Sequence, residues 1–93
     1  MFRVGQSIMF VEHELSYNDT DLFLSVGQIV YIGDGELRSS SARNYLIEFN
    51  KYIGGHSGDN RGENGHCWWC NIKDLRPYSD YNQKDFKAEI RRK

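Results

Sequence analysis

A β-strand is predicted by the stretch His66-Cys67-Trp68-Trp69-Cys70-Asn71-Ile72, which contains both tryptophans of the chain. Successive side chains of a strand point to opposite faces of a sheet, so the two tryptophans should lie on opposite faces. Trp68 would share its face with the apolar Cys70 and Ile72, whereas Trp69 would share the other face with polar side chains. This alternation predicts that Trp68 enters the core and that Trp69 stays on the surface.

A glycine-rich segment, residues 54–65, precedes this strand, and five of its twelve residues are glycine. Glycine loses much conformational freedom when it is ordered, so a regular helix or strand is disfavoured here. A connection of this length is uncommon in a compact domain unless it has a function. We therefore expect a loop whose polar residues His56, Asp59 and Arg61, with the adjacent His66, bind a partner.

The remaining strands are predicted from short runs of apolar and β-branched residues that turn residues separate. They cover residues 4–13, 28–32 and 44–49, and a tight turn with a short closing strand follows over residues 73–78. A polar loop over residues 14–21 follows the first strand. Several short strands in a chain of 93 residues predict a mainly β domain, a small barrel of about five strands.

A second region, residues 79–93, follows the predicted barrel of residues 1–78. Ser79 is a candidate N-cap for a short helix over about residues 80–92, in which Phe86 and Ile90 share one face. A helix of this length needs a surface to pack against, either on its own domain or across a dimer, so the oligomeric state stays open. Residues 79–93 are predicted to be a C-terminal helix or a basic tail.

The charge of the chain is nearly balanced in total and uneven along its length. Twelve Lys and Arg stand against 13 Asp and Glu, a net charge of −1. Residues 84–93 carry five basic and two acidic side chains, whereas residues 1–83 carry seven basic and eleven acidic ones. Nucleic-acid binders usually show a basic excess, so this composition argues against a general nucleic-acid binder. It also argues against a strongly acidic mimic of DNA.

Membrane and export segments are not evident in the sequence. The longest apolar runs, such as Ile8-Met9-Phe10-Val11, are too short to span a bilayer. Residues 1–5 lack the long apolar stretch of a signal peptide. We therefore expect a complete cytoplasmic protein with no membrane partner, in which the two cysteines need no disulfide.

Cys67 and Cys70 have the spacing of a metal-binding pair. Three further candidate ligands lie nearby in the sequence: His56, Asp59 and His66. Strand alternation, however, would point the two sulfur atoms to opposite faces. Cys67 and His66 also have the residue types of a nucleophile and its base, but neighbours on a strand point apart. We therefore expect no metal, no cofactor and no catalytic residue.

The order of these segments resembles that of SH3-like barrels over about residues 3–78. The resemblance is carried by the Val-Gly-Gln runs at residues 4–6 and 26–28, by residues 45–49, by Trp68-Trp69 and by Asp74-Leu75-Arg76-Pro77. It implies a small five-stranded barrel. The segment from Gly54 to Trp69 resembles a loop of small, uncharacterised bacteriophage proteins.

The SH3 resemblance also implies a role for the tryptophan pair. In SH3 domains the first tryptophan of the pair lines the groove for proline-rich peptides, and Trp68 corresponds to it. This assignment is opposite to the one that alternation gives, and both stay open. Pro77 and Tyr78 match the proline and tyrosine of that groove loosely, and the chain lacks the Ala-Leu-Tyr-Asp-Tyr motif of peptide-binding SH3 domains.

These features together predict a protein-interaction module that is not an enzyme, encoded by a bacteriophage and acting on a host or viral protein. An exposed tryptophan beside an adaptable loop is typical of protein interfaces. The candidate partner-binding residues are Trp69, Trp68, His56, Asp59, Arg61, His66 and Tyr78.

Two alternatives remain. One is a nucleic-acid-binding barrel, with the tail and a basic patch as its contact surface. That patch would consist of Arg43, Lys51, Arg61, Lys73 and Arg76. The other is a small zinc-binding or Cys/His protein.

Overall fold

The structure, a computed structural model, describes residues 2–33 and 43–78. This part of the chain contains five strands: β1 (Ser7–Phe10), β2 (Val26–Ile32), β3 (Tyr45–Phe49), β4 (Cys67–Cys70) and β5 (Leu75–Pro77). They form one antiparallel sheet in the order β4-β3-β2-β1-β5. A turn of 3₁₀ helix, Ile72–Asp74, connects β4 to β5.

The prediction of a mainly β domain with about five strands is confirmed. The first strand is shorter than predicted because residues before Ser7 form a turn, in which the N–H of Gln6 donates to the carbonyl of Arg3. The second strand begins earlier, at Val26, because its first residues pair with Ile8 and Met9. The predicted helix or tail over residues 79–93 lies outside the described residues.

The fourth strand ends sooner than predicted. The side chain of Asn71 accepts a 2.9 Å hydrogen bond from the N–H of Lys73 and thereby caps the 3₁₀ turn. Ile72 therefore leaves the strand and is 43% exposed. The expectation that Ile72 shares the core face of Trp68 is wrong, because the side chain of Asn71 ends the alternation at Cys70.

The core lies on one face of the sheet and is built from alternating strand residues and two loop residues. Phe10 and Phe49 meet edge-to-face at its centre, with ring centroids 6.2 Å apart. Burial of each large side chain stabilises the fold by about 1.5–3 kcal/mol. The buried members are Ile8, Phe10, Leu22, Ile29, Ile47, Phe49, Ile53, Cys70 and Leu75.

The glycine-rich loop, residues 54–65, covers the opposite face of β3 and β4. Leu46 and Cys67 are fully buried there, outside the core cluster. A Cβ atom on Gly58 would lie 2.2 Å from Cδ2 of Leu46, and one on Gly62 would lie 2.6 Å from Sγ of Cys67. The loop can pack directly on the sheet because these two positions have no side chain.

Within residues 2–33 and 43–78, the structure contains no helix of the length and apolar character needed to cross a membrane.

Replacement of Gly58 by alanine should destabilise the protein by about 2–4 kcal/mol, measured by urea denaturation. The added methyl group would overlap Leu46, and the φ of 59° is unfavourable for an L-residue. Gly5→Ala is the control, because Gly5 has a φ of 92° but no atom within 4 Å of an added Cβ. It should cost about 1–2 kcal/mol. Equal losses in the two variants would contradict the packing of the loop on Leu46.

Candidate functional site

β4 divides the predicted partner-binding residues between two faces of the sheet. Trp68 and Trp69 are both half-buried, so neither is wholly inside or wholly outside. Trp68 lies opposite Ile47 of β3 and packs against the core cluster. Trp69 lies opposite Leu46 on the other face. The two tryptophans therefore belong to two separate groups of residues.

Trp68 is tied to the β1–β2 loop, residues 11–25, by a hydrogen bond. Its indole N–H donates to Oε2 of Glu14 over 3.0 Å. The same carboxylate oxygen pairs with the guanidinium of Arg43. This hydrogen bond with Glu14, opposed in part by burial, raises the pKa of Arg43. One carboxylate thus holds together the β1–β2 loop, β4 and the residues before β3.

An aromatic surface lies beside this carboxylate. The ring of Tyr17 meets that of Trp68 edge-to-face, with centroids 5.1 Å apart. His56 lies nearly parallel to Trp68, at 6.3 Å between centroids. Tyr17 is nevertheless 83% exposed. We call Tyr17, His56 and Trp68 the Tyr17–Trp68 surface.

The β1–β2 loop that contains Tyr17 is acidic. Residues 11–25 include four carboxylates and no Lys or Arg. One of them, Asp21, contacts Nδ1 of His13 at 2.7 Å. Partial burial raises the pKa of Asp21, but hydrogen bonds from His13 and from the N–H of Phe23 outweigh this effect and lower it overall. Arg43 offsets the charge of Glu14, and the other three carboxylates leave the loop around Tyr17 with a net negative charge.

Arg61 and Asp59, in the glycine-rich loop, lie on the face of the sheet that carries Trp69. Trp69 meets Tyr31 edge-to-face, and the guanidinium of Arg61 lies 4.0 Å from the centroid of the Tyr31 ring. Arg61 also donates to the carbonyl of Gly58 over 3.1 Å and lies 3.6 Å from the carboxylate of Asp59. Arg61 therefore helps to hold the glycine-rich loop on the sheet.

His56 and His66, the two histidines among the predicted contact residues, also make hydrogen bonds within the fold. Nδ1 of His56 accepts the N–H of Gly58 over 2.9 Å. Nδ1 of His66 lies 2.9 Å from the carbonyl oxygen of Phe49, and since a carbonyl only accepts, this nitrogen carries a proton. Nε2 of His66 lies 3.4 Å from the carboxylate of Glu63. His66 and Glu63 line a polar depression of about 250 Å³ together with Gln28, Glu48, Phe49 and Asn50.

Tyr78, the last predicted contact residue, directly follows β5. Its N–H donates to the carbonyl of Ser7 on β1 over 3.0 Å. Its side chain is 44% exposed. In the strand order, β5 and β4 occupy opposite edges, so Tyr78 is not on the strand that carries the tryptophan pair.

The two free thiols lie in different environments. Sγ of Cys67 is beneath the glycine-rich loop, 3.7 Å from the carbonyl oxygen of Glu63, whereas Cys70 belongs to the core cluster. Burial, with a smaller contribution from the charge of Glu48, raises the pKa of Cys67 to about 11. Burial also raises the pKa of Cys70 well above its ordinary value. Buried thiols of high pKa suit packing, not nucleophilic attack.

Among residues 2–33 and 43–78, no group of three His, Cys, Asp or Glu side chains is arranged to hold a metal ion.

The sequence patterns do not predict Glu14, Tyr17 or Tyr31 as site residues. Glu14 and Tyr17 lie in the polar stretch that predicts only a loop, and the apolar run around Tyr31 predicts only a strand. The contact between Glu14 and Trp68 joins residues 54 positions apart. A local indication is the presence of the apolar residues Leu15 and Tyr17 in a mostly polar segment.

No protein-family model matches the chain, and neither a curated protein nor a solved structure is significantly similar to it.

Both thiols should react slowly with a water-soluble aromatic disulfide at pH 8. With a pKa of about 11, about one Cys67 side chain in a thousand is ionised at that pH. Two thiols per chain should react at once in guanidinium chloride. Rapid reaction of one thiol per chain in native buffer would contradict the burial of Cys67 and favour the nucleophile hypothesis.

The raised pKa of Cys67 also predicts a decline of stability at high pH. The folded state disfavours the thiolate, so this contribution is complete below the ordinary pKa of 9.0 and is lost as the pH rises to about 11. Urea denaturation between pH 8 and 11 measures the decline. A Cys67→Ala variant is the control and should show a shallower decline; an identical decline would contradict the role of Cys67.

Proposed function

We propose that the protein is a non-enzymatic interaction module whose Tyr17–Trp68 surface binds a segment of a partner protein. The observation that carries the proposal is the position of Tyr17, which is 83% exposed yet packs edge-on against the half-buried Trp68. Aromatic side chains supply large contact areas at a low cost in conformational entropy, and they dominate many interfaces. This arrangement favours protein binding over catalysis.

The acidic β1–β2 loop indicates the charge of the partner segment. Four carboxylates and no Lys or Arg occur in residues 11–25. Complementary charge increases both the rate and the specificity of association. A cationic side chain is also attracted to the faces of aromatic rings. The partner segment is therefore expected to be basic.

The fold that we propose for this module is an SH3-like barrel. β4 and β5 are the edge strands, and four strand spacings of about 4.8 Å would separate them by about 19 Å in a flat sheet. Residues 71–74 alone connect them, and because these residues include the 3₁₀ turn they span only about 14 Å. The sheet must therefore curl, which supports a barrel.

The resemblance of the glycine-rich loop to phage proteins makes a host or viral protein the partner to test.

Nucleic-acid binding is the second candidate, and one observation favours it. Arg61 lies over Tyr31 beside Trp69, and aromatic rings with an arginine form surfaces on which single-stranded bases stack. Salt-dependent binding of a labelled single-stranded oligonucleotide, lost in Arg61→Gln, would favour this candidate.

Peptides selected from a random display library on the immobilised protein should carry net positive charge. Tyr17→Ala should weaken their binding about 10-fold or more, because truncation of a central aromatic residue costs about 2 kcal/mol. Isothermal titration calorimetry measures the affinities, and urea denaturation verifies that the variants fold.

The matched control is Tyr31→Ala, which truncates the same residue type on β2, at the face of the sheet that carries Trp69. It should leave the affinity within about two-fold of the original, as energetically neutral positions do. Selection of acidic peptides, or an equal loss in the two variants, would contradict the proposal.

A further inference from the structure

One segment of the chain has a charge opposite to that of the β1–β2 loop. Residues 84–93 contain five basic and two acidic side chains, whereas residues 11–25 contain four acidic side chains and no Lys or Arg. Charges of opposite sign attract across the few ångströms of a surface contact, and added salt screens this attraction. The two segments are therefore complementary in charge.

The same two segments also carry apolar groups. Phe86 and Ile90 lie within the basic segment. In the β1–β2 loop, Leu15 is 59% exposed and Tyr17 is 83% exposed. Asp19 is an exposed carboxylate two residues beyond Tyr17. Exposed apolar side chains next to an exposed carboxylate match a segment that contains both basic and apolar residues.

The path of the chain permits the contact. Leu75, at the start of β5, pairs with Phe10, the last residue before the β1–β2 loop, and the N–H of Val11 donates to the carbonyl of Asp74 over 2.8 Å. From there β5 runs only about 10 Å to Tyr78. Residues 79–83 span up to about 17 Å when extended. Residue 84 can therefore return along the edge of the sheet to the acidic loop.

We propose that residues 84–93 bind in cis to the β1–β2 loop and the Tyr17–Trp68 surface, where they compete with the partner segment. This inference rests on the proposed function and adds a regulation to it. A segment that occupies the surface for nine-tenths of the time lowers the apparent affinity of a competitor about 10-fold. Modification or binding of the basic segment by another molecule would then open the surface.

The test measures the binding of a fluorescent synthetic peptide with the sequence of residues 79–93 to three full-length proteins. One is the original protein, and one is the tail variant Lys87→Gln/Arg91→Gln. The third is the control variant Arg3→Gln/Lys51→Gln, which removes two exposed charges outside the tail.

The tail variant should bind the peptide at least about five-fold more tightly than the original, because its own segment no longer occupies the surface. The control variant should bind like the original, and 0.5 M NaCl should reduce the difference.

Three outcomes would overturn the inference. First, the peptide could bind the original protein and the tail variant equally, or bind neither. Either result would show that the segment does not compete in cis. Tighter binding to the control variant as well would show a general effect of net charge. Concentration-dependent association of the original protein in sedimentation, absent from the tail variant, would show that the segment binds a second copy.

The readout also separates this inference from the proposed function, because the assay contains no partner protein. A negative result in this assay would not affect the prediction that library peptides need Tyr17 for tight binding. Conversely, the tail variant could bind the tail peptide more tightly than the original while library peptides bind Tyr17→Ala as tightly as the original. That pair of results would refute the proposed function alone.

Discussion

The carboxylate of Glu14 is the contact on which the proposed binding surface depends. It accepts the indole N–H of Trp68 and pairs with Arg43, so a single side chain connects the β1–β2 loop with β4 and with the residues before β3. These two donors take the place of water around a carboxylate that is largely buried. Glu14 therefore fixes the indole ring, and the fixed ring gives Tyr17 its packing partner.

The glycine-rich loop covers the outer face of β4, the face opposite to the core. It buries Leu46 and Cys67 on the outer face, and the contact of Arg61 with Tyr31 holds it there. His56 also bonds to the backbone of Gly58. The loop residues that the sequence predicts as partner contacts thus make bonds within the fold. Trp68, on the other face, retains an exposed neighbour in Tyr17.

Local patterns in the sequence predict the strands well because strand alternation is a local property. They predict that the side chains of Trp68 and Trp69 diverge, but not that Ile72 leaves the strand, since that depends on the side chain of Asn71 capping a turn. The proposed binding surface could not be predicted in this way. The contact between Glu14 and Trp68 joins distant positions, and no local pattern reports which acidic residue meets which indole.

The most direct measurement of the central claim follows the two indole N–H resonances of the ¹⁵N-labelled protein during titration with a basic peptide selected for binding. The two tryptophans lie on opposite faces of β4, so their resonances report separately on the two faces. Our account predicts that the Trp68 resonance shifts progressively to saturation while the Trp69 resonance stays in place. A shift of Trp69 with Trp68 unchanged would contradict the account and place the binding site on the outer face.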